Sequence, residues 1–119
     1  MLGPTAMLLE RYLDLLAARQ RVTAGNIANA DTPGYRVREI DFRREMESLL
    51  QQPSASPPYL PITVREGWGE PAKNDGNNVN LDKEMKVLAE NVLRFTVASL
   101  LLQKQIRSVR NAIQEGRGA

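Results

Sequence analysis

Residues 81–113, LDKEMKVLAENVLRFTVASLLLQKQIRSVRNAI, decide the fold. Side chains recur there at alternating steps of four and three: Leu81, Met85, Leu88, Val92, Phe95, Ser99, Leu102, Ile106, Val109 and Ile113. All but Ser99 are apolar, and the spacing sets them on one stripe of a long helix, in the a and d register of a coiled coil. At about 1.5 Å per residue that helix is roughly 50 Å long. A second set, Leu93, Val97, Leu100 and Leu101, lies off the stripe, and Arg94 is the only charge between Val92 and Leu102. A helix that is apolar on more than one side must be covered on more than one side. The chain has one other strong helix to offer, so the remaining cover is expected from other subunits. The candidate assembly face is Val92, Leu93, Phe95, Val97, Leu100, Leu101, Leu102, Ile106 and Val109.

The other strong helix lies at the opposite end. Gly3-Pro4-Thr5 reads as a helix start with Pro in the first turn. Ala6, Leu9, Leu13, Leu16, Gln20, Thr23, Ile27 and Ala30 then follow the same three-four spacing, while Leu8, Tyr12, Leu15 and Val22 widen the apolar face. Folding the middle of the chain back as one excursion lays this helix antiparallel to the C-terminal one. The fold expected is therefore mainly α, an antiparallel coiled-coil-like pair of terminal helices with a short extended segment and a Pro/Gly-rich flexible middle. Its parts are residues 1–34, 35–50, 51–79 and 80–119.

Between the two helices the periodicity changes twice. Tyr35 to Phe42 alternates apolar with charged, which is a strand-like period and suits an extended segment laid along a neighbouring subunit. Phe42, Met46, Leu49 and Leu50 return to helical spacing, stopped by Pro53. From Gln51 to Asn78 come Pro53, Pro57, Pro58, Pro61, Pro71, Gly67, Gly69 and Gly76, a composition that reads as loop or mobile linker. Leu60, Ile62, Val64 and Trp68 form a candidate extended patch inside it, with Trp68 a candidate anchor. Asn80 is a good N-cap for the C-terminal helix, Asp82 and Glu84 suit its positive first turn, and Gly116 is a natural stop.

Composition excludes several kinds of function. The chain has 119 residues, enough for one domain. Its longest nearly uncharged apolar run is the stretch of about ten residues ending at Leu102, against the ~20 that a membrane crossing requires. Glu10, Arg11 and Asp14 interrupt the first apolar stretch, which is unlike the core of a cleaved secretory signal. Cysteine and histidine are both absent. That removes disulfides, thiol chemistry, the usual general base and the usual metal ligands. The acidic residues sit at helix starts and on solvent faces rather than as a converging pair, and no Gly-rich phosphate loop or metal-ligand spacing is present. No enzymatic role, cofactor or small-molecule substrate is expected. The net charge is +2, and Lys83, Lys86, Arg94, Lys104, Arg107, Arg110 and Arg117 read as a solvated polar face complementing the helix dipole. Nucleic-acid binding would need a denser patch with stacking aromatics, and Phe95 and Trp68 are too isolated to supply it.

Residues 24–35, Ala-Gly-Asn-Ile-Ala-Asn-Ala-Asp-Thr-Pro-Gly-Tyr, are an odd helix end. Gly25, Asn26 and Asn29 are poor helix formers crowded into five positions. Small side chains there let another backbone approach closely, and the two Asn amides suit bridges to neighbouring main chain. Pro33 disfavours helix at Thr32, and Pro33-Gly34 fits the centre of a type II turn with Gly34 at positive φ.

This run resembles the N-terminal signature of bacterial flagellar rod, hook and hook-associated proteins, an Asn-(Ile/Leu)-Ala-Asn core followed by a Thr-Pro-Gly-Tyr turn. A dozen residues of unusual composition about 25 residues from the start, matched by a heptad helix at the far end, make the resemblance specific. The short length, Arg38-Glu39-Ile40-Asp41-Phe42 and Asp75-Gly76-Asn77-Asn78-Val79-Asn80-Leu81-Asp82 are most similar to the members at the proximal end of the rod. It covers roughly residues 9–44 and 75–115 and departs in the middle, which looks shorter than usual.

The resemblance implies a structural subunit of the flagellar basal-body rod, a periplasm-spanning tube that transmits torque and conducts exported subunits. It implies export through the growing structure in place of a cleaved signal. The implied partners are copies of itself, other rod proteins, and the basal-body component that joins the rod to the membrane ring and export gate. Asn26, Ile27, Ala28, Asn29, Asp31, Thr32, Pro33, Gly34 and Tyr35 are the motif residues implied in subunit contact. The alternative is a generic helical adaptor that binds one partner helix in a groove.

Overall fold

The computed structural model describes residues 3–52, 62–67 and 70–118. Leu60, Trp68, Pro53, Pro57, Pro58, Pro61 and Gly69, discussed above, lie outside the described residues.

Helix α1 spans Pro4–Ala28, entered from Gly3 in extended conformation with Pro at the first turn, where its missing N–H costs nothing. Strand β1 (Arg38–Ile40) is followed by helix α2 (Phe42–Gln51), which Asp41 caps by accepting a 3.2 Å bond from the Arg44 amide. Strand β2 (Val64–Glu66) pairs antiparallel with β1, with Arg38, Glu39 and Ile40 opposite Glu66, Arg65 and Val64. Helix α3 runs from Leu81 to Gly118. Among the described residues no helix is long and apolar enough to cross a membrane.

The terminal helices pack against each other, and two bonds fix their sense. Asn26 near the end of α1 meets Glu84 near the start of α3, while Leu16 in mid-α1 meets Asn91, so the pair is antiparallel. A second contact layer forms where Leu15 and Ala18 of α1 bury Ile40 of β1, with Val22, Phe42, Met46 and Ile62 packed around them. Leu15 and Val22, the residues that widen the apolar face of α1, are thus the ones facing the sheet and α2. Tyr12 tilts against Phe42 at 6.4 Å between ring centroids, and the guanidinium groups of Arg19 and Arg94 lie 4.5 and 5.5 Å from the centre of the same ring. Burial lowers the Arg19 pKa, whereas hydrogen bonding to Tyr12 and then to Glu90 raises that of Arg94.

Three expectations need correction, the simplest being that α3 runs through Gly116, the expected stop, to Gly118. The seam of α3 is not the stripe from Leu81 to Ile113. Along the length that α1 covers, the buried and half-buried positions are Glu84, Val87, Leu88, Asn91, Ala98, Ser99 and Leu102, a row turned about one helical position from that stripe. Leu88, Ser99 and Leu102 belong to both rows; Leu81, Met85, Val92, Phe95, Ile106 and Ile113 are left exposed. The reason is steric and polar together. Ala98 and Asn91 make a low ridge that lets α1 come close, and Asn91 uses the closeness to bond the Leu16 carbonyl. The strand-like segment is the remaining case, since β1 pairs with this chain's own β2 and packs on its α1.

Candidate assembly interface

The Asn-Ile-Ala-Asn motif builds a junction between the end of α1 and the start of α3. Asn26 is 1% exposed and its amide is fully engaged. Its Nδ2 donates to the Arg38 carbonyl at 2.8 Å and to Glu84 Oε2 at 3.1 Å, and its Oδ1 accepts from the Tyr35 hydroxyl at 2.9 Å and from the Arg38 amide at 3.0 Å. One side chain thereby takes the place of a neighbouring strand on the free edge of β1, since it pairs both the N–H and the C=O of Arg38. This edge would otherwise leave two polar groups open in a half-buried site.

Asn29 closes the helix itself. Its Nδ2 donates to the Gly25 carbonyl at 2.8 Å, which also accepts from the Asn29 main-chain amide at 3.1 Å, and its Oδ1 accepts from Thr32 Oγ1 at 3.1 Å. The Tyr35 amide then bonds the Thr32 carbonyl at 3.2 Å across Pro33 and Gly34, and Gly34 has φ of 76°. That is the turn the sequence called for, with glycine where a side chain would be strained.

A second asparagine cluster locks onto the first. Asn77 is completely buried and donates through Nδ2 to the carbonyls of Asn29 and Thr32 at 2.9 and 2.8 Å, while its Oδ1 accepts from the Val79 amide at 2.8 Å. Asn78 Oδ1 accepts from the Val37 amide at 2.6 Å. The Gly34 amide donates to the Asp75 carbonyl at 2.8 Å, and Gly76, at φ 85°, passes so near that a Cβ there would lie 3.4 Å from the Gly34 Cα. Asn80 caps α3 by accepting from the Lys83 amide at 3.1 Å. The close approach expected at residues 24–29 is thus found at Gly34 and Gly76, and a Cβ on Gly25 would meet nothing within 4 Å.

Of the motif residues, Asn26 is closed off inside the chain, and Ile27, Asn29 and Tyr35 are half-buried. Ala28, Asp31, Thr32, Pro33 and Gly34 face outward. Sequence reasoning passed over Asn77, Asn78 and Asn91 as bonding residues. The signal available for the first two was the density of asparagine around the Asp75-Gly76 turn signal; for Asn91 there was none beyond a polar residue within a helix.

The apolar flanks of α3 remain open. Leu93 is 65% exposed and Leu100 59%, with Val92, Phe95, Val97, Leu101 and Ile106 also exposed, whereas Leu102 and Val109 are half-buried. Two shallow grooves flank the helix pair. Leu9, Tyr12, Leu93, Val97, Ala98 and Leu101 line one, beside Glu90 and Arg94. Ala17, Gln20, Arg21, Ala24, Val92, Phe95 and Thr96 line the other. Exposed apolar surface of this extent on adjoining faces of one helix is the mark of an interaction surface.

Comparison with known proteins agrees with this geometry. Residues 13–36, which hold the motif, match the family described as Flagella basal body rod protein. Flagellar basal body rod protein FlgB of Escherichia coli strain K12 is 34% identical over 125 residues, covering 90% of this chain and 91% of that protein. The chain belongs to the FlgB family of flagellar basal-body rod proteins. FlgB of Borrelia hermsii is 32% identical over 126 residues, covering 90% of this chain and 93% of its own, and FlgB of Salmonella typhimurium is 31% identical over 125 residues, covering 90% and 91%. At that coverage the FlgB relatives align through both asparagine clusters and most of α3, and the likeness is not confined to the motif.

Proposed function

We propose that this chain is a structural, non-catalytic subunit of the flagellar basal-body rod that assembles through the outer faces of α3. The observation that carries the reading is the pair of apolar grooves flanking one helix pair in a member of the FlgB family. A rod subunit touches neighbours on several sides and repeats by contacts that do not close into a small ring. An adaptor for a single helix needs one groove, and two flank the helix pair among the described residues. Copies of the same chain and adjoining rod proteins are the partners that fit, together with the component that anchors the rod to the membrane ring and export gate. In a periplasmic tube under torque, long helices wedged between others resist shear as loops do not. The exposed motif residues Ala28, Asp31, Thr32, Pro33 and Gly34 are proposed to contact the next subunit, held in place by the buried junction behind them.

The test is charge placed on the open face. Leu93→Glu and Leu100→Glu should leave the helical circular dichroism of the purified chain within about a tenth of the parent, since exposed substitutions change stability little. Both should abolish rod assembly and motility in cells that depend on this chain. Normal basal bodies in the variants would overturn the reading.

A further inference from the structure

Asp75-Gly76 is the only Asp-Gly pair in the chain, which has no Asn-Gly. Glycine leaves the peptide nitrogen after an aspartate unshielded, and its backbone freedom lets the side-chain carboxyl swing over that nitrogen. We propose that Asp75 is a site of spontaneous isoaspartate formation that the folded junction keeps silent. Gly76 N bonds to the protonated Asp75 carboxyl at Cγ, the Cγ–O bond breaks, and the hydroxyl leaves as water with the amide proton. Water then adds to either carbonyl of the five-membered ring. Opening at Cγ restores aspartate, and opening at the main-chain carbonyl leaves Gly76 joined through Cγ. No carbon is oxidised or reduced, and water is the only other reactant.

Folding ties down both reacting groups without hiding them. Asp75 is solvent-exposed, so the protection is conformational. The Gly76 amide donates to the Lys73 carbonyl at 2.8 Å, and Asp75 Oδ1 is turned forward to accept from the Asn77 amide at 3.0 Å. Ring closure requires both bonds to open. Isoaspartate in turn adds a methylene to the main chain at the point where the Asp75 carbonyl accepts from Gly34 and the two glycine backbones come together. A chain modified while unfolded therefore cannot close the junction.

The experiment incubates the full chain in mildly acidic buffer with and without denaturant. Isoaspartate is counted by isoaspartyl methyltransferase labelling and located by fragment mass spectrometry. Modification at Asp75 should be at least about tenfold slower in native buffer, because it proceeds only from locally opened chains. Asp75→Glu should abolish the signal, and Asn77→Ala should raise the native rate while leaving the denatured rate unchanged. On dilution from denaturant the modified chain should stay outside the folded fraction. Equal native and denatured rates in the parent chain, a signal that survives Asp75→Glu, or modified chain that refolds as readily as unmodified would each overturn the proposal. The parent comparison decides even where Asn77→Ala does not fold.

Discussion

Asn26 answers four bonding partners from a position water does not reach, and Leu of similar size answers none. Asn26→Leu leaves the Arg38 amide and carbonyl and the Glu84 carboxylate without their shared partner. Orphaned buried groups each cost about 1–3 kcal/mol, so the variant should lose roughly 3 kcal/mol in a denaturant titration. Asn26→Asp should do no better, because it sets an acceptor against the Arg38 carbonyl and a second negative charge beside Glu84. A parent-like midpoint in either variant would show the network idle. Gly34→Val tests the turn in the same assay. At φ 76° a β-branched residue should cost about 2 kcal/mol or more, and an unchanged midpoint would show that the turn relaxes freely. The motif residues were legible as a turn and as amides able to bridge main chain. Their particular partners were not, since Arg38 and Asn77 are separated from them by 12 and 48 residues and only the folded path brings them near.

For the helices, what was legible is the excess of apolar faces on α3, and what was not is which of them its own chain fills. Periodicity counts oily positions; the seam is chosen by close fit. Ala98 and Asn91 are poor in hydrophobic count yet give the tighter approach, so the seam turned one position away from the richest stripe. Asn91 carries a cost there, because its Oδ1 is buried with no partner. Asn91→Leu removes that unpaired oxygen but adds branched bulk where α1 comes closest. Stability should therefore stay within about 1 kcal/mol of the parent in a thermal melt, while Leu16 keeps the helical bond to its carbonyl. The same variant should loosen the register of α1 on α3, which pairs of introduced cysteines in this cysteine-free chain report as mixed cross-links. A single cross-linked register would show that Asn91 does not pin the pair. The strand segment was legible as a strand and misjudged in its partner, since alternation marks a two-sided ribbon and carries no information on whose edge it meets.

At the scale of the whole chain the two helices are unequal, 25 residues beside 38, and the molecule is 71 Å long and 24 Å wide. Leu16 lies level with Asn91, and Pro4 precedes Leu16 by twelve residues, so the described start of α1 lies near residue 103 of α3. Residues 104–118 then extend about 22 Å further, with Ile106 and Ile113 exposed. In dilute solution, amides of this extension should exchange with solvent within seconds, while those of α1 and the asparagine junction stay protected far longer. Raising the concentration until copies associate should slow exchange along the extension. Uniform protection along α3 in the isolated chain would show that it needs no neighbour.

That inequality of length gives each molecule a ledge on one side and a recess on the other. Were copies laid end to end like half-lapped bricks, the column would have a top and a bottom with different footholds. Gaining a brick above would then be a separate event from losing one below, and a direction of growth would already be written into a single copy.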